Sequence, residues 1–200
     1  MRAVLISIQP KWCELIANGK KTIEVRKTRP RLETPFKCYI YETKSRSDMP
    51  TFVDEDGHVL YTGRGQVIGE FVCDWIVEFT PTEKGLQFNR FSALYKTCLS
   101  LSEVREYLSG KVGCGWHILD LKIYDKPKEL SEFRVEDKIA IKHCNHRFRS
   151  GQPETVTQHG GWIKGGFGCM KSGEPEWCEN CLTKPLTCPP QSWCYVEEEK

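Results

Sequence analysis

A change in composition near His143 constrains the fold of this chain more than any other sequence feature. Residues 143–191 are rich in Gly, Pro, Cys and Trp and show little periodicity. An irregular stretch of this length needs a stabilising cross-link in order to pack. We therefore predict three parts: a folded domain over residues 1–142, a Cys-rich, metal-binding extension over 143–191, and a segment over 192–200 whose strand rejoins the domain before an acidic tail.

The first part of the chain combines strand patterns with two short helical ones. A β-rich apolar run from Ala3 to Ile8 predicts a strand, and Pro10 to Gly19 predicts a helix that stops at Asn18-Gly19. A second helix is predicted from Ser100 to Gly110, because a serine cap, an acidic residue three positions later and a terminal glycine occur in order.

Longer apolar patterns occupy the middle of the chain. Val67 to Phe79 predicts a long strand that is interrupted at Gly69 and Asp74, where a bulge would fit. Cys114 to Tyr124 predicts another long strand, and residues 82–97 between the two predict a weak helix. An Asp-Gly pair at 56–57, flanked by two short apolar runs, predicts a hairpin. The run from Ser192 to Val196 predicts the final strand.

The stretch Gly19–Arg26 combines strand periodicity with a row of charged side chains. Its apolar residues, Ile23 and Val25, share one predicted face. Its polar residues lie on the other predicted face or just before the strand begins: Lys20, Lys21, Thr22, Glu24 and Arg26. Two interpretations stay open, namely a binding face for an anionic or strongly polar ligand and the solvated face of a half-buried strand. In a regular strand Lys21 would lie on the same face as Ile23 and Val25. To join the polar residues, Lys21 must therefore lie in the turn before the strand, or Lys20 must take its role.

Charge is unevenly distributed along the chain. The formal net charge is only +2, yet residues 20–46 hold nine basic and three acidic side chains, a local excess of six positive charges. A local basic field favours an anionic partner such as RNA, and it suits a solvated loop nearly as well. Lys44, near the end of this segment, joins the candidate ligand-binding residues.

Cysteine usage favours a reducing compartment. The apolar run at the N-terminus is too short for a signal peptide or a membrane span, so we expect a cytoplasmic protein with no membrane partner. Eleven cysteines, an odd number, disfavour a complete disulfide framework there. The isolated ones among apolar neighbours are predicted to be small buried hydrophobes: Cys13, Cys38, Cys73 and Cys98.

The clustered cysteines near the C-terminus predict a structural zinc site. Cys178-Glu179-Asn180-Cys181 supplies two thiolates from one tight turn, and two more ligands would complete a tetrahedral site. The preferred ligands are Cys144, Cys169, Cys178 and Cys181. Four other residues could substitute for one of them: His143, His146, His159 and Cys188. A set of reduced thiols, a redox dithiol or an iron–sulfur cluster are the alternatives.

The stretch Gly19–Arg26 resembles the signature of the ASCH domain family, G-x-K-x-x-E-x-R. The matching positions are Gly19, Lys21, Glu24 and Arg26. The strand Gly69-Glu70-Phe71-Val72 and the late strand Trp116–Leu121 are also similar to the family. Lys126-Pro127 through Phe133 resembles the tail of such domains in phage and gut-bacterial proteins.

The resemblance implies an α+β fold, a PUA-like small β-barrel with flanking short helices, to which the zinc-stapled C-terminal segment is added. It implies a cleft for RNA or nucleotides. The resemblance also implies a possible activity, since some small bacterial members of the family are hydrolases that remove the acetyl group from acetylcytidine with a lysine, a threonine and a glutamate. Lys21 matches that lysine and Glu103 matches the glutamate, whereas the threonine position is Glu24, which disfavours a hydroxyl nucleophile.

Two functions therefore remain in consideration. The first is a module that binds single-stranded RNA or a modified base, nucleotide or nucleoside in the cleft of Lys21, Glu24 and Arg26. The alternative is a small hydrolase acting on a modified nucleoside, in which Lys21 and either Glu24 or Glu103 form the proton-transfer pair. The substitution of threonine by Glu24 favours binding. For Trp116 and Tyr41, core packing is favoured over base stacking.

Overall fold

The structure is a computed structural model that describes residues 2–44, 52–53, 59–61, 63–83, 85–88, 93–136, 147–149, 167–169 and 183–197. The helices of this part are α1 (Pro10–Ala17) and α2 (Leu101–Leu108). Its strands are β1 (Arg2–Ile8), β2 (Ile23–Arg26), β3 (Phe36–Glu42), β4 (Phe52–Val53), β5 (Val59–Tyr61), β6 (Val67–Cys73), β7 (Ile76–Thr82), β8 (Gly85–Phe88), β9 (Gly113–His117), β10 (Leu119–Lys128), β11 (Arg134–Glu136), β12 (Arg147–Arg149), β13 (Phe167–Cys169), β14 (Thr183–Pro185) and β15 (Trp193–Glu197).

The main strands form two sheets rather than one barrel. The larger sheet has seven strands in the order β10-β6-β3-β1-β15-β11-β14, and the smaller has four in the order β2-β9-β7-β8. Only the β1–β3 pair, among these described pairs, is parallel. The α+β class is confirmed. The closed barrel is wrong, because in the described residues neither ladder returns to its first strand and each sheet keeps two edges.

The two long predicted strands are each divided between the sheets. Asp74 and Trp75 separate β6 in the larger sheet from β7 in the smaller one, and Ile118 separates β9 from β10 in the same way. His117 Nδ1 lies 2.6 Å from Asp74 Oδ1, and the Trp75 ring stacks on the His117 ring with centroids 4.4 Å apart. These contacts hold the two crossovers together. The interruption predicted at Asp74 is present as the break between β6 and β7. The single strand predicted from Cys114 to Tyr124 is wrong, because its apolar pattern continues across the break at Ile118.

Both helices begin and end where their caps predict. Ser100 accepts a hydrogen bond from the Glu103 backbone, while the Glu103 carboxylate accepts from the Ser100 backbone, which completes a capping box. After α1 the chain turns through Gly19 at φ 69°. The helix predicted over residues 82–97 is wrong: β7 and β8 form a hairpin there, and a 3₁₀ turn lies at Tyr95–Thr97.

The larger sheet is covered on both faces, which explains why β1 is buried along almost its whole length. On one face Val4 and Ile40 pack with α1 and with Trp116 of β9. On the other face Leu5 and Tyr39 pack against Phe133. A third apolar cluster joins β2, through Ile23 and Val25, to α2 and the strands of the smaller sheet.

Trp116 and Tyr41 are both core residues, as predicted, with 0% and 4% of their surface exposed. Cys13, Cys38 and Cys73 are buried thiols, also as predicted, whereas Cys98 is half-buried.

The final strand lies beside the first. β15 pairs antiparallel with β1, so that Leu5 faces Cys194 across the ladder. The hairpin predicted around Asp-Gly is present as the antiparallel pair β4–β5. Within the predicted extension, Arg147 of β12 faces Cys169 of β13, and β14 pairs with β11. Among the described residues, no helix has both the length and the apolarity to cross a membrane.

Candidate functional site

Three side chains of the Gly19–Arg26 stretch meet in a buried group, here called the Lys–Glu–Arg cluster: Lys21, Glu24 and Arg26. Lys21 Nζ lies 3.3 Å from Glu24 Oε2, and Arg26 Nη2 lies 3.0 Å from Glu24 Oε1. Only 3%, 5% and 6% of these three residues is exposed. The interpretation of a solvated strand face is therefore wrong, because the polar face of β2 points toward the larger sheet and not toward water.

Register explains how a charged face becomes buried. Glu24 pairs with Trp116 of β9, which packs in the core between the sheets. Residues directly paired in a ladder project to the same face, so Glu24 and Arg26 point to the side where Trp116 is covered. Ile23 and Val25 then face α2. Both faces of β2 are thus covered, one by apolar contacts and the other by charge pairing.

Lys21 reaches the cluster from the turn between α1 and β2. Its backbone N–H donates to the Leu15 carbonyl at 2.9 Å, which places it outside the strand alternation. Its ammonium donates to the Thr97 carbonyl at 2.6 Å and lies 5.1 Å from the centre of the Trp12 ring. Lys20 is exposed. Lys21, and not Lys20, is therefore the lysine that joins Glu24 and Arg26.

Arg26 links the cluster to the larger sheet. Its Nη2 donates to the Ser7 carbonyl of β1 at 2.6 Å as well as to Glu24. The Arg26 Nε–H is buried and has no hydrogen-bond partner within the described part of the chain. A buried donor without an acceptor is costly, so it marks a place where another group would be stabilised.

The segment around Thr97 holds the motif in place through backbone atoms. The Thr22 N–H donates to the Lys96 carbonyl at 3.0 Å, and the Cys98 thiol donates to the Lys20 carbonyl at 3.3 Å. Thr97 itself is fully buried. Sequence reasoning missed this segment, because carbonyl acceptors can come from any residue type and leave no pattern.

A second buried carboxylate, Glu42, was also missed. It is fully buried at the end of β3 and accepts a hydrogen bond from the Arg64 N–H at 2.8 Å. Burial raises its pKa, and that backbone hydrogen bond opposes the rise. Burial, with the charges of Glu42 and Glu24, also raises the pKa of the Cys13 thiol well above its usual range. Period two could have located Glu42, because Cys38 and Ile40 precede it on the core face.

The remaining predicted residues stand apart from the cluster. Lys20 and Lys44 are exposed, and Thr22 is half-buried. Glu103 is exposed in the α2 capping box, where hydrogen bonds from Ser100 lower its pKa. No hydrogen bond or ion pair of the described residues joins Glu103 to Lys21, Glu24 or Arg26.

The predicted zinc ligands fall mostly outside the described residues. That holds for Cys144, Cys178 and Cys181, and for His143, His146 and His159 as substitutes; of Cys169 only the backbone is described. Cys188 is exposed. Within the ranges that the structure describes, no group of three or more His, Cys, Asp or Glu side chains is placed to hold a metal ion. The zinc site stays a prediction.

Comparison with known proteins gives the family. The family model described as ASCH domain matches residues 6–112, which is more than half of the chain, and the chain therefore belongs to the ASCH domain family. The matched part includes the whole Lys–Glu–Arg cluster. The resemblance to phage and gut-bacterial domains is not addressed by this match and stays a prediction.

Three solved structures with some similarity are of one protein and its mutants. The ASCH protein of Zymomonas mobilis is 21% identical, with a TM-score of 0.44, over 64% of this chain and 73% of that one. One mutant of that protein is 21% identical, with a TM-score of 0.43, over 64% of this chain and 76% of the mutant chain. Another mutant is 22% identical, with a TM-score of 0.44, over 64% of this chain and 74% of the mutant chain. A search of curated proteins found no match.

Proposed function

We propose that this protein binds single-stranded RNA, or a nucleotide or nucleoside with an ordinary or modified base, at the Lys–Glu–Arg cluster. One observation carries the proposal: the buried Arg26 Nε–H has no acceptor within the described part of the chain. A ligand acceptor such as a base carbonyl, a ring nitrogen or a phosphate oxygen would satisfy it. Lys21 and Arg26 against Glu24 leave a formal charge of +1, which suits such an acceptor.

Exposed cations close to the motif in sequence support a polyanionic partner. Lys20 and Lys27 flank the motif and are exposed, and Lys44 is exposed at the end of the same basic segment. Surface lysines of this kind contact phosphates without reading sequence. We therefore assign the buried cluster to recognition of the ligand and the exposed lysines to backbone contacts.

Arg26→Lys is expected to weaken binding of RNA at least about 10-fold. Lysine keeps the charge but lacks the Nε–H and the planar fork, so the orphan donor disappears while the ion pair with Glu24 can persist. Fluorescence anisotropy with a labelled single-stranded RNA of about 12 nucleotides measures the affinity. Arg105→Lys, on the exposed side of α2, is the matched control and should bind like wild type.

Salt dependence supplies a second readout of the same binding. If the exposed lysines contact phosphates, the logarithm of the affinity should fall linearly with the logarithm of salt, by about 0.7 per phosphate contact. Equal affinity of Arg26→Lys and wild type would contradict the assigned role of Arg26. Wild-type protein that binds neither the RNA nor nucleosides would contradict the proposed function itself.

The alternative is an amidohydrolase acting on a modified nucleoside such as acetylcytidine. It is favoured by the 3.3 Å separation of Lys21 Nζ and Glu24 Oε2, which is within reach for proton transfer. Glu103 enters this alternative only if its capping hydrogen bonds are broken. Release of acetate from acetylcytidine by wild type, and its absence in Lys21→Met, would favour the hydrolase over the binding module.

We also propose that the extension over residues 143–191 holds a structural zinc ion. Protein purified under reducing conditions should contain about one zinc per chain by metal analysis, because four protein ligands close a tetrahedral site. Cys178→Ser with Cys181→Ser should lose the metal, whereas Cys188→Ser, at an exposed thiol, is the control for the preferred ligand set. Fresh, reduced protein without metal would remove the zinc site. The cytoplasmic location likewise stays a prediction.

A further inference from the structure

Trp12 lies at the edge of the buried face of α1. Cys13 and Ile16 of this helix are buried, and Trp12 lies one helical turn before Ile16. Its indole packs against the core between the sheets, yet the residue is only half-buried. The ring therefore extends from the core to the protein surface.

The indole also borders the Lys–Glu–Arg cluster. The Lys21 ammonium lies 5.1 Å from the centre of the Trp12 ring, which is within the range of a cation–π interaction. The same ammonium is held by the Thr97 carbonyl at 2.6 Å and by the Glu24 carboxylate at 3.3 Å. Thr97 and Glu24 are both buried. Of the three described residues that contact the ammonium in this way, only Trp12 also reaches solvent.

A second ammonium lies over the same ring. Lys11 Nζ is 4.8 Å from the ring centre. Lys11 is exposed, and no hydrogen bond or ion pair within the described part of the chain holds its ammonium. The flexible Lys11 side chain can leave the ring at little cost, whereas a carbonyl and a carboxylate hold Lys21 in place. The indole thus offers an aromatic surface that a ligand can occupy instead of Lys11.

This arrangement favours one part of a nucleotide over the others. Every nucleobase has a π face that stacks on an aromatic side chain, and a sugar phosphate has none. Next to the indole, the Lys21 ammonium is a donor and the Glu24 carboxylate is an acceptor, 3.3 Å apart. The edge of a nucleobase likewise presents donors beside acceptors. A base on the indole would therefore bring a matching edge to the cluster.

We propose that Trp12 is the stacking platform of the ligand site, on which a nucleobase lies in place of the Lys11 ammonium with its edge toward Lys21. The inference rests on the proposed function and deepens it, because it assigns recognition of the base to a named side chain. A free nucleoside and a base within single-stranded RNA share this chemistry, and the experiments below distinguish them.

Two substitutions at position 12 of the full-length protein separate stacking from packing. Trp12→Phe keeps an aromatic face and should bind the labelled RNA of about 12 nucleotides within about 3-fold of wild type. Trp12→Leu keeps apolar volume against the core but has no π face, and it should weaken binding about 10- to 100-fold, the effect of losing one stacked base. Tyr95→Leu is the matched control and should bind like wild type, since 80% of Tyr95 is exposed.

Competition identifies the source of the base. Cytidine, uridine and adenosine present a base without phosphate, and ribose 5-phosphate presents a phosphate without a base. Displacement of the labelled RNA by a nucleoside would show that a free base is sufficient, and displacement by unlabelled RNA alone would assign the base to a strand. Either result supports the stacking role if Trp12→Leu is impaired.

Intrinsic fluorescence distinguishes stacking from a role of Trp12 in holding Lys21. A base stacked on an indole quenches its emission, so the competitor that binds should lower the emission of wild type. The decrease should be absent in Trp12→Phe, although that variant still binds. A decrease of the same size in Trp12→Phe would place the stacked base elsewhere and overturn the inference.

Lys11→Met tests whether the ammonium leaves the ring. Nucleosides should bind this variant at least as tightly as they bind wild type, because no ammonium has to be displaced. Weaker nucleoside binding by Lys11→Met would show that the ammonium stays on the indole, which would overturn the proposed position of the base.

The remaining outcomes separate this inference from the proposed function. Trp12→Leu that binds like wild type, with Arg26→Lys impaired, would overturn the stacking role and leave the proposed function standing. Displacement by ribose 5-phosphate as effective as by the nucleosides would overturn the assignment of the site to a base. Failure of the wild type to bind RNA and nucleosides alike would overturn the proposed function, and this inference with it.

Discussion

Glu24→Ala is expected to lower the free energy of unfolding by about 3–5 kcal/mol. The carboxylate is the counter-ion of two buried cations, at 3.3 Å from Lys21 Nζ and 3.0 Å from Arg26 Nη2. Without it both charges remain in a water-poor site with only carbonyl acceptors, from Thr97 and Ser7. The total free energy of unfolding of a typical domain is about 5–15 kcal/mol, so this single change should remove a large share of the stability.

Urea unfolding followed by circular dichroism measures the effect. Glu106→Ala is the control, because Glu106 is exposed on α2 and should change the stability by no more than about 0.5 kcal/mol. Adding Lys21→Met to Glu24→Ala should recover part of the loss, since it removes one of the two unpaired charges. A loss below about 1 kcal/mol would mean that water reaches the cluster in solution.

Trp116→Ala should cost about 3–5 kcal/mol of unfolding free energy. The indole is fully buried between the sheets, with its ring centre 5.8 Å from that of Phe36 and 6.0 Å from that of Trp193. Its Nε1–H donates to the Cys114 sulfur at 3.3 Å. Truncation leaves a cavity in the core between the sheets, so both sheets lose side-chain contacts at once.

The same urea experiment measures this change, with Tyr95→Ala as the control for loss of an exposed aromatic side chain. Tyr95→Ala should be nearly neutral in stability. If Trp116→Ala unfolds at wild-type denaturant concentration but no longer binds RNA, the tryptophan belongs to the ligand site and not to the core.

Local patterns predicted the elements that depend on near neighbours. The helix at Ser100 was predicted because its cap and Glu103 are three residues apart and bond to each other. The turn after α1 followed from Gly19, whose φ of 69° suits glycine. β1 and β15 were predicted because their apolar runs are short and bounded by turn residues.

Local patterns could not predict which of the two sheets each strand joins. Asp74 interrupts the apolar pattern of β6–β7, whereas β9–β10 presents a continuous one. Neither pattern holds information on which ladder a residue joins. The breaks occur where Asp74 and His117 meet across 43 residues of chain. Contacts at such separation depend on where other strands lie, so the expected barrel was wrong although its strands were largely present.

The candidate site shows the same difference between local properties and properties that depend on distant residues. Spacing located Lys21, Glu24 and Arg26, because their order within one turn and one strand is a local property. Spacing did not show that they are buried. Burial follows from the pairing of Glu24 with Trp116, and from the Thr97 carbonyl, which lies 76 residues from Lys21. The carbonyl acceptors of Ser7 and Thr97 entered the site only through folding.

By itself the sequence determined the helices, most strands, the charged motif of the ASCH domain family and the cysteine cluster that predicts zinc. Each of these depends on residues within a few positions of one another. The tertiary structure alone decided that the main strands form two sheets, that the motif is a buried ion cluster, and that the buried Arg26 Nε–H has no partner among the described residues. Those properties arise from strand pairing and desolvation, which bring together residues far apart in the chain.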